Sequence, residues 1–426
     1  MTGSGNPETT PAEKSTASAG RDRNPLSPEN LLNPFPFYEE LRVNDPVHWS
    51  DTLRAWILTR YDDVMNLFRD PRISANRNAV FKHQVQGLGP DTLEDFIEIV
   101  GKQMLHKDGP EHIRMRRQVN PHFTFQALAS WLPAIRNTMR ELVDRVHHQG
   151  QMDLVAEISY EFPPRVIAEL FGLPPEDHAQ LLSWAKPIAQ LGSLAGGADP
   201  VGTARAANKA IVEFARFLTL QAEKRRQAPG HDLISQMLES QRQDPKGVNI
   251  EELVANAILM LIAGHTTTTD QISNLVHDLL THPEQLQMVR NNPSLLPTAV
   301  EESLRFHPAV PFHYRIAAED IPLRGRTIRK GDVVFFGLAA ANRDPQHFHE
   351  PDRFDITRDA MAQKHMSFSF GPHHCLGANL ARRELEIGLE VLLERMPRLR
   401  LDEERPPRQK AESLVFRGFH SLHLRW

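Results

Sequence analysis

Apolar positions recur at helical spacing along most of the chain and alternate at strand spacing only in short runs near its two ends. The helical periodicity predicts helices over 34–42, 61–69, 111–118, 126–148, 154–171, 175–191, 202–226 and 297–306, and a last long one over 376–396. Asn249 stands where a helix N-cap belongs, so the longest apolar run lies in a helix that continues to about Leu280. Alternation predicts strands over 47–50 and 55–59, with Asp51 and Thr52 in the turn between them. It also predicts hairpins from 320–323, 327–328 and 333–336, and terminal strands ending at Trp426. The polar stretch 74–101 carries only modest helical signal, and an irregular segment of that length inside a compact domain is usually functional. The expected class is mainly α, of the α+β type, with small β-sheets.

Composition narrows the picture. Residues 1–28 hold Thr, Ser, Gly, Pro, Ala and charge with almost nothing to bury, so a disordered tail is expected there. Residues 29–426 show no internal repeat and no low-complexity linker, so one large domain is expected. The tail lacks an apolar signal core, and the run 253–264 is too short to span a bilayer; neither signal peptide nor membrane anchor is expected. A net charge of −5 gives no basic excess for nucleic acid or an anionic membrane. The single cysteine, Cys375, excludes an intramolecular disulfide and fits a cytoplasmic location.

A lone Cys is more often a small apolar core residue than a reactive one. Its neighbourhood argues otherwise. Cys375 lies at the start of the predicted last helix, where unpaired backbone N–H groups favour thiolate over thiol. Gly371 and Gly377 remove side chains where a flat cofactor needs close backbone approach, and Phe368 supplies apolar cover. A zinc site from His373, His374 and Cys375 is awkward, because adjacent residues rarely converge on one ion.

The run Phe368-Ser369-Phe370-Gly371-Pro372-His373-His374-Cys375-Leu376-Gly377-Ala378 resembles the haem-binding loop of bacterial cytochromes P-450. The resemblance extends to Glu302 and Arg305, to Arg353 downstream, to the segment 108–117 with His112 and Arg116, and to Arg315. It implies haem b with Cys375 as metal ligand, and His112, Arg116, Arg315 and His373 on the haem propionates. It also implies that Arg353 joins the Glu302–Arg305 pair. One departure is Ser369, where most members carry Gly.

The segment Ala263-Gly264-His265-Thr266-Thr267-Thr268-Thr269 resembles the family's oxygen-activation motif, with the working hydroxyl on Thr267. Consecutive threonines are poor helix formers, so a local distortion near Gly264 is expected. The position usually held by an acid is Thr266, so any proton relay must run through water or another group; Asp270 lies one turn on. The resemblance implies a haem-thiolate monooxygenase of secondary-metabolism type, oxidising a small, largely apolar molecule with O2. Its two electrons come from a separate ferredoxin or flavodoxin with its reductase. Oxidative coupling by the same haem, or a haem-thiolate gas or redox sensor, are the alternatives. Substrate contacts are expected from 74–101, 171–200, 260–263, 309–313 and 415–419. Arg114 and Arg117, with Arg382 or Arg383, are expected to form an outward basic face for an acidic electron donor.

Overall fold

The central helix Ile250–Thr281 is the axis on which the other elements are arranged. Its start is fixed by a reciprocal cap: Asn249 Oδ1 accepts the Glu252 N–H at 2.8 Å, and Glu252 Oε2 accepts the Asn249 N–H at 3.0 Å. Helices Phe162–Leu170, Pro200–Gln227, Leu296–Phe306 and Ala378–Arg395 lie against it. One apolar cluster joins them, drawing buried side chains from Leu93 through to Leu424.

The computed structural model describes residues 23–77, 92–192 and 199–426. Most of the expected tail (1–22), the middle of the irregular segment (78–91) and residues 193–198 lie outside the described residues. The expected tail boundary at 28 is too late: Arg23 pairs with Glu40 at 3.0 Å, and Ser27 caps the helix Pro28–Leu32.

Most predicted helices form within a few residues of their expected ends, Tyr61–Arg69 and Gly109–Val119 among them. Two long ones are divided. The stretch 126–148 passes through short turns before Leu132–Val146, with Pro133 in its first turn. The stretch 154–171 splits into a π-helical turn Val155–Ser159 and Phe162–Leu170, at the point where Pro163 and Pro164 enter. Among the helices not expected are Leu233–Gln243, capped by Asp232, and Pro283–Asn291.

A five-stranded sheet flanks the helices, in the order Val47–Ser50, Ala55–Leu58, Val333–Gly337, Phe312–Ala317, Ile73–Ser74. Its one parallel pair sets Ala55 beside Val333 and Leu58 beside Phe336.

Behind the last helix lies a buried ion cluster. Arg305 grips Glu302 through two hydrogen bonds of 2.7 Å, both side chains being about 2% exposed. Its remaining N–H groups donate to the carbonyls of Asn342 (3.0 Å), Pro351 (2.7 Å) and Arg353 (2.9 Å). The expected third member is wrong. Arg353 contributes only its carbonyl, while its own guanidinium faces solvent and pairs with Glu350. The second guanidinium on Glu302 is Arg358, at 3.3 Å and 10% exposed. The chain turns at Pro351, which points the Arg353 side chain outward and brings Arg358 back.

Removing one partner of such a pair strands a charge in the interior. Arg305→Met is therefore expected to lower folding stability by about 3–5 kcal/mol in denaturant unfolding. Arg353→Ala, at a surface pair, is expected to change it by less than ~1 kcal/mol. Similar losses for the two variants would contradict this assignment.

Candidate active site

The segment leading to Cys375 hangs from that ion cluster. Asn342, whose carbonyl Arg305 holds, accepts the Met366 N–H at 2.7 Å and donates to Ser367 Oγ at 2.9 Å. Ser367 in turn donates to the Leu304 carbonyl at 2.6 Å. The next residues turn back on themselves, and the Cys375 N–H reaches the Phe368 carbonyl at 2.9 Å. Ser369 takes φ +62° and Gly371 φ +73°, both left-handed. The departure at Ser369 thus leaves the turn's shape intact and places a side chain where glycine is favoured. Its Oγ is buried with no hydrogen-bond partner. Gly371 cannot be exchanged so easily, since a Cβ there would meet the Phe68 carbonyl oxygen at 2.7 Å.

Cys375 opens onto a cavity of about 400 Å³ between the central helix, the last helix and the sheet. Gly264, Thr267, His112, Arg116, Phe368, His373 and Gly377 line the same cavity. Thr266 does not. Residues 264, 267, 268 and 271 share one helical face, and position 266 falls about 100° away from it. Thr268 and Gln271 are on the wall instead, as is Glu384 from the last helix. Glu384 is fully buried and hydrogen-bonded to Thr268; burial raises its carboxyl well above the ordinary range, so it keeps its proton. Asp270 turns the other way: its buried carboxylate receives Lys410 Nζ at 2.7 Å and packs on Gly418. Lys410 begins a strap whose Val415 and Phe416 reach the cavity wall. The strap's far end is held by Arg417, whose N–H donates to the Ala309 carbonyl at 2.9 Å.

The expected distortion at Gly264 does not occur; the helix is continuous from 250 to 281. Its threonine hydroxyls find partners that leave the backbone ladder whole. Thr267 Oγ1 donates to the Ala263 carbonyl at 2.8 Å, and Thr269 Oγ1 to the Ser159 carbonyl of the π-turn at 2.9 Å.

The last helix starts at Ala378, later than expected, with Gly377 as its cap. Burial pushes the Cys375 thiol up, and the Gly377 N–H, Arg116 and Arg382 act against it. The helix start therefore does not make the thiolate by itself, whereas a coordinating metal deprotonates a thiol outright. His112 and His373 pack ring against ring at a 35° tilt, with centroids 3.9 Å apart. Burial takes His112 down to about 4 and lowers His373 as well, so both are neutral N–H donors near pH 7. Arg116 donates to Asn120 Oδ1 at 3.0 Å and to the Pro372 carbonyl at 3.3 Å. Arg315 stands one layer behind the wall, with Nη1 on His313 Nδ1 at 2.7 Å and Nη2 without a partner. Arg77 lies on the wall itself and was not singled out in the sequence.

The outward basic face does not survive inspection of its partners. Arg114 is clamped by Glu252, Arg117 by Asp244, Arg382 by Glu301 and Arg383 by Glu386. Glu252, Asp244 and Glu301 come from elements packed alongside and Glu386 from the same helix as Arg383, so the charges cancel locally instead of summing into a patch.

A thiol at the mouth of a short helix-capping loop, under an apolar cavity ringed by carboxylate-seeking groups, is the arrangement of a haem-thiolate protein. The residues fit haem b on two counts. A Cβ at Gly377 would meet nothing within 4 Å and one at Gly264 only Ile167 at 3.9 Å, so backbone can approach a flat ring closely. Buried guanidinium nitrogens of Arg315 and Arg77 lack protein partners, as groups meant for carboxylates would.

The comparisons agree. The Cytochrome P450 family profile matches residues 201–418. The chain is 36% identical to the "Biotin biosynthesis cytochrome P450" of Bacillus subtilis, covering 88% of this chain and 92% of that one. It is also 36% identical to the "Vitamin D(3) 25-hydroxylase" of Pseudonocardia autotrophica, over 92% and 93% of the two chains. The crystal structure of P450BioI in complex with hexadec-9Z-enoic acid ligated acyl carrier protein superposes with TM-score 0.85 and 34% identity, covering 94% of this chain and all of that one. This chain belongs to the bacterial cytochrome P450 family: it is a monooxygenase of P450 fold whose cofactor is haem b. No helix among the described residues is long and apolar enough to cross a membrane.

Relieving the left-handed serine gives a local check on the loop. Ser369→Gly is expected to raise stability by about 1 kcal/mol, while Gly371→Ala should lower it by at least as much. Thermal unfolding of the two variants reads both signs.

Proposed function

We propose that Cys375 is the axial thiolate of the haem and that the cavity above it takes a small, largely apolar organic molecule for oxidation by O2. The observation that carries this is the sharing of one apolar cavity by Cys375 from the last helix's loop and by Thr267 and Thr268 from the central helix. Thiolate-ligated haem iron, when bound, supplies electron-rich redox chemistry that favours O–O cleavage. Phe368 covers the thiol side, with the Arg382 guanidinium 4.5 Å from its ring. His112, His373 and Arg116 offer N–H donors to the propionates.

On the substrate side Leu259, Met260, Ala263, Val310 and Phe416 exclude water and orient the substrate by shape. The proton source is the other group that Thr266 leaves to be supplied. Glu384 holds a proton on its carboxyl beside Thr268, and Thr267 is the neighbouring hydroxyl on the same face. With an acid on the wall, ordinary monooxygenation is favoured over coupling. Two electrons come from a separate ferredoxin or flavodoxin with its reductase. Two relatives support the apolar substrate class: one is named a vitamin D(3) 25-hydroxylase, and another was solved with hexadec-9Z-enoic acid ligated to acyl carrier protein.

Carbon monoxide added to the reduced holoenzyme is expected to give the red-shifted Soret band of thiolate ligation, and Cys375→Ser to abolish it. An unchanged band in the variant would refute the ligand assignment. Thr267→Ala and Glu384→Gln are each expected to divert reductant into peroxide and to slow product formation by roughly 100-fold, the low end of what a positioned proton donor contributes. Full coupling in Glu384→Gln would exclude it as the proton source.

A further inference from the structure

Two arginines crowd the sheet side of the cavity, and a third reaches its wall from the helix Gly109–Val119. Arg77 follows the strand Ile73–Ser74, lies on the cavity wall and is 8% exposed. It stacks on the Tyr314 ring at 4.6 Å, yet its Nε and Nη2 are buried without a hydrogen-bond partner. Burying a guanidinium in this state is costly unless an acceptor is present for most of the protein's life. Arg315, behind it, is pulled down to about 9 by burial and then by the Arg77 charge. Arg116 is the third. The carboxylate beside them is Asp108, already engaged by Ser74, by the Ala75 N–H at 2.9 Å and by His373 at 3.8 Å. Three guanidiniums stand against this one carboxylate, so the arginines exceed the carboxylates by two.

We propose that Arg77 is a haem-propionate anchor, the cavity-facing guanidinium in a cluster whose excess charge matches the two carboxylates of haem b. The proposal rests on the reading of Cys375 as haem ligand. It adds a statement about the substrate: once the propionates are bound, no cation on the described cavity wall is left for an acid group. The part of the substrate lying against that wall is therefore uncharged. A carboxylate is the shared chemistry, and a substrate acid is the other source it could come from.

The test uses the holoenzyme with Arg77→Gln and Arg77→Lys. Haem transfer to excess apomyoglobin gives the release rate, and a redox titration gives the ferric–ferrous midpoint. Loss of one charge-assisted contact predicts about tenfold faster release in Arg77→Gln. The midpoint should fall, because a cation beside the propionates stabilises the more negative ferrous form. Arg77→Lys should recover most of both. The carbon monoxide band of the variants should stay where the parent has it, which separates this proposal from the ligand assignment: a parent without that band would overturn both. Release rate and midpoint unchanged in Arg77→Gln would overturn the proposal alone. Binding of myristic acid and of 1-tetradecanol distinguishes the sources. Weakened acid binding with alcohol binding, release and midpoint all unchanged assigns Arg77 to the substrate and overturns it too. Equal release from Gln and Lys variants, both melting lower than the parent, would reduce Arg77 to packing on Tyr314 and likewise overturn it.

Discussion

The position of Cys375 depends on a buried charge that never touches it. Arg305 sits almost fully inside the protein and is tolerable there only because Glu302 and three carbonyls absorb its N–H groups. Those carbonyls belong to a stretch with little regular structure of its own. Gripping the Asn342 carbonyl fixes Asn342, and Asn342 fixes Met366 and Ser367, from which the cysteine loop springs. Ionic bonding therefore does for irregular backbone what a helix ladder does elsewhere: it makes one conformation far better than its neighbours.

The loop and the central helix meet the same problem from opposite directions. The loop needs left-handed backbone at two places and uses a glycine at one and a serine at the other. The helix carries residues that disfavour helix and satisfies their hydroxyls with carbonyls that are free to accept a second bond. In both, local preference yields to hydrogen bonds and contacts made elsewhere in the fold.

What the sequence made legible follows from the range of the forces involved. Most helix periods and the Asn249 cap are local patterns, and the elements form close to where those patterns put them. The division at Pro163 and Pro164 was equally local and was available to be read. So was the helix after Asp232, where Leu233, Ile234, Met237 and Leu238 repeat at helical spacing. Arg353 was misassigned because motif order says which segments meet and not which side chain turns inward. Thr266 was placed by its motif position, although a helix sends adjacent residues to different sides. Glu384 and Arg77 escaped notice for a different reason. One sits in an ordinary amphipathic helix and the other in a polar stretch, and only long-range packing carries either to the cavity. Arg114, Arg117 and Arg382 of the expected basic face show the same limit, since their partners are distant in sequence.

The strap between Lys410 and Arg417 has an evolutionary consequence. Its ends are moored, one to the carboxylate of Asp270 and the other to the Ala309 carbonyl, while Val415 and Phe416 between them form part of the cavity wall. Replacements at those two positions can redraw the cavity's outline while the moorings, and the helix bearing Thr267, stay put. A lineage built this way can wander across substrates by drift at a few sites, with the oxidising machinery inherited unaltered.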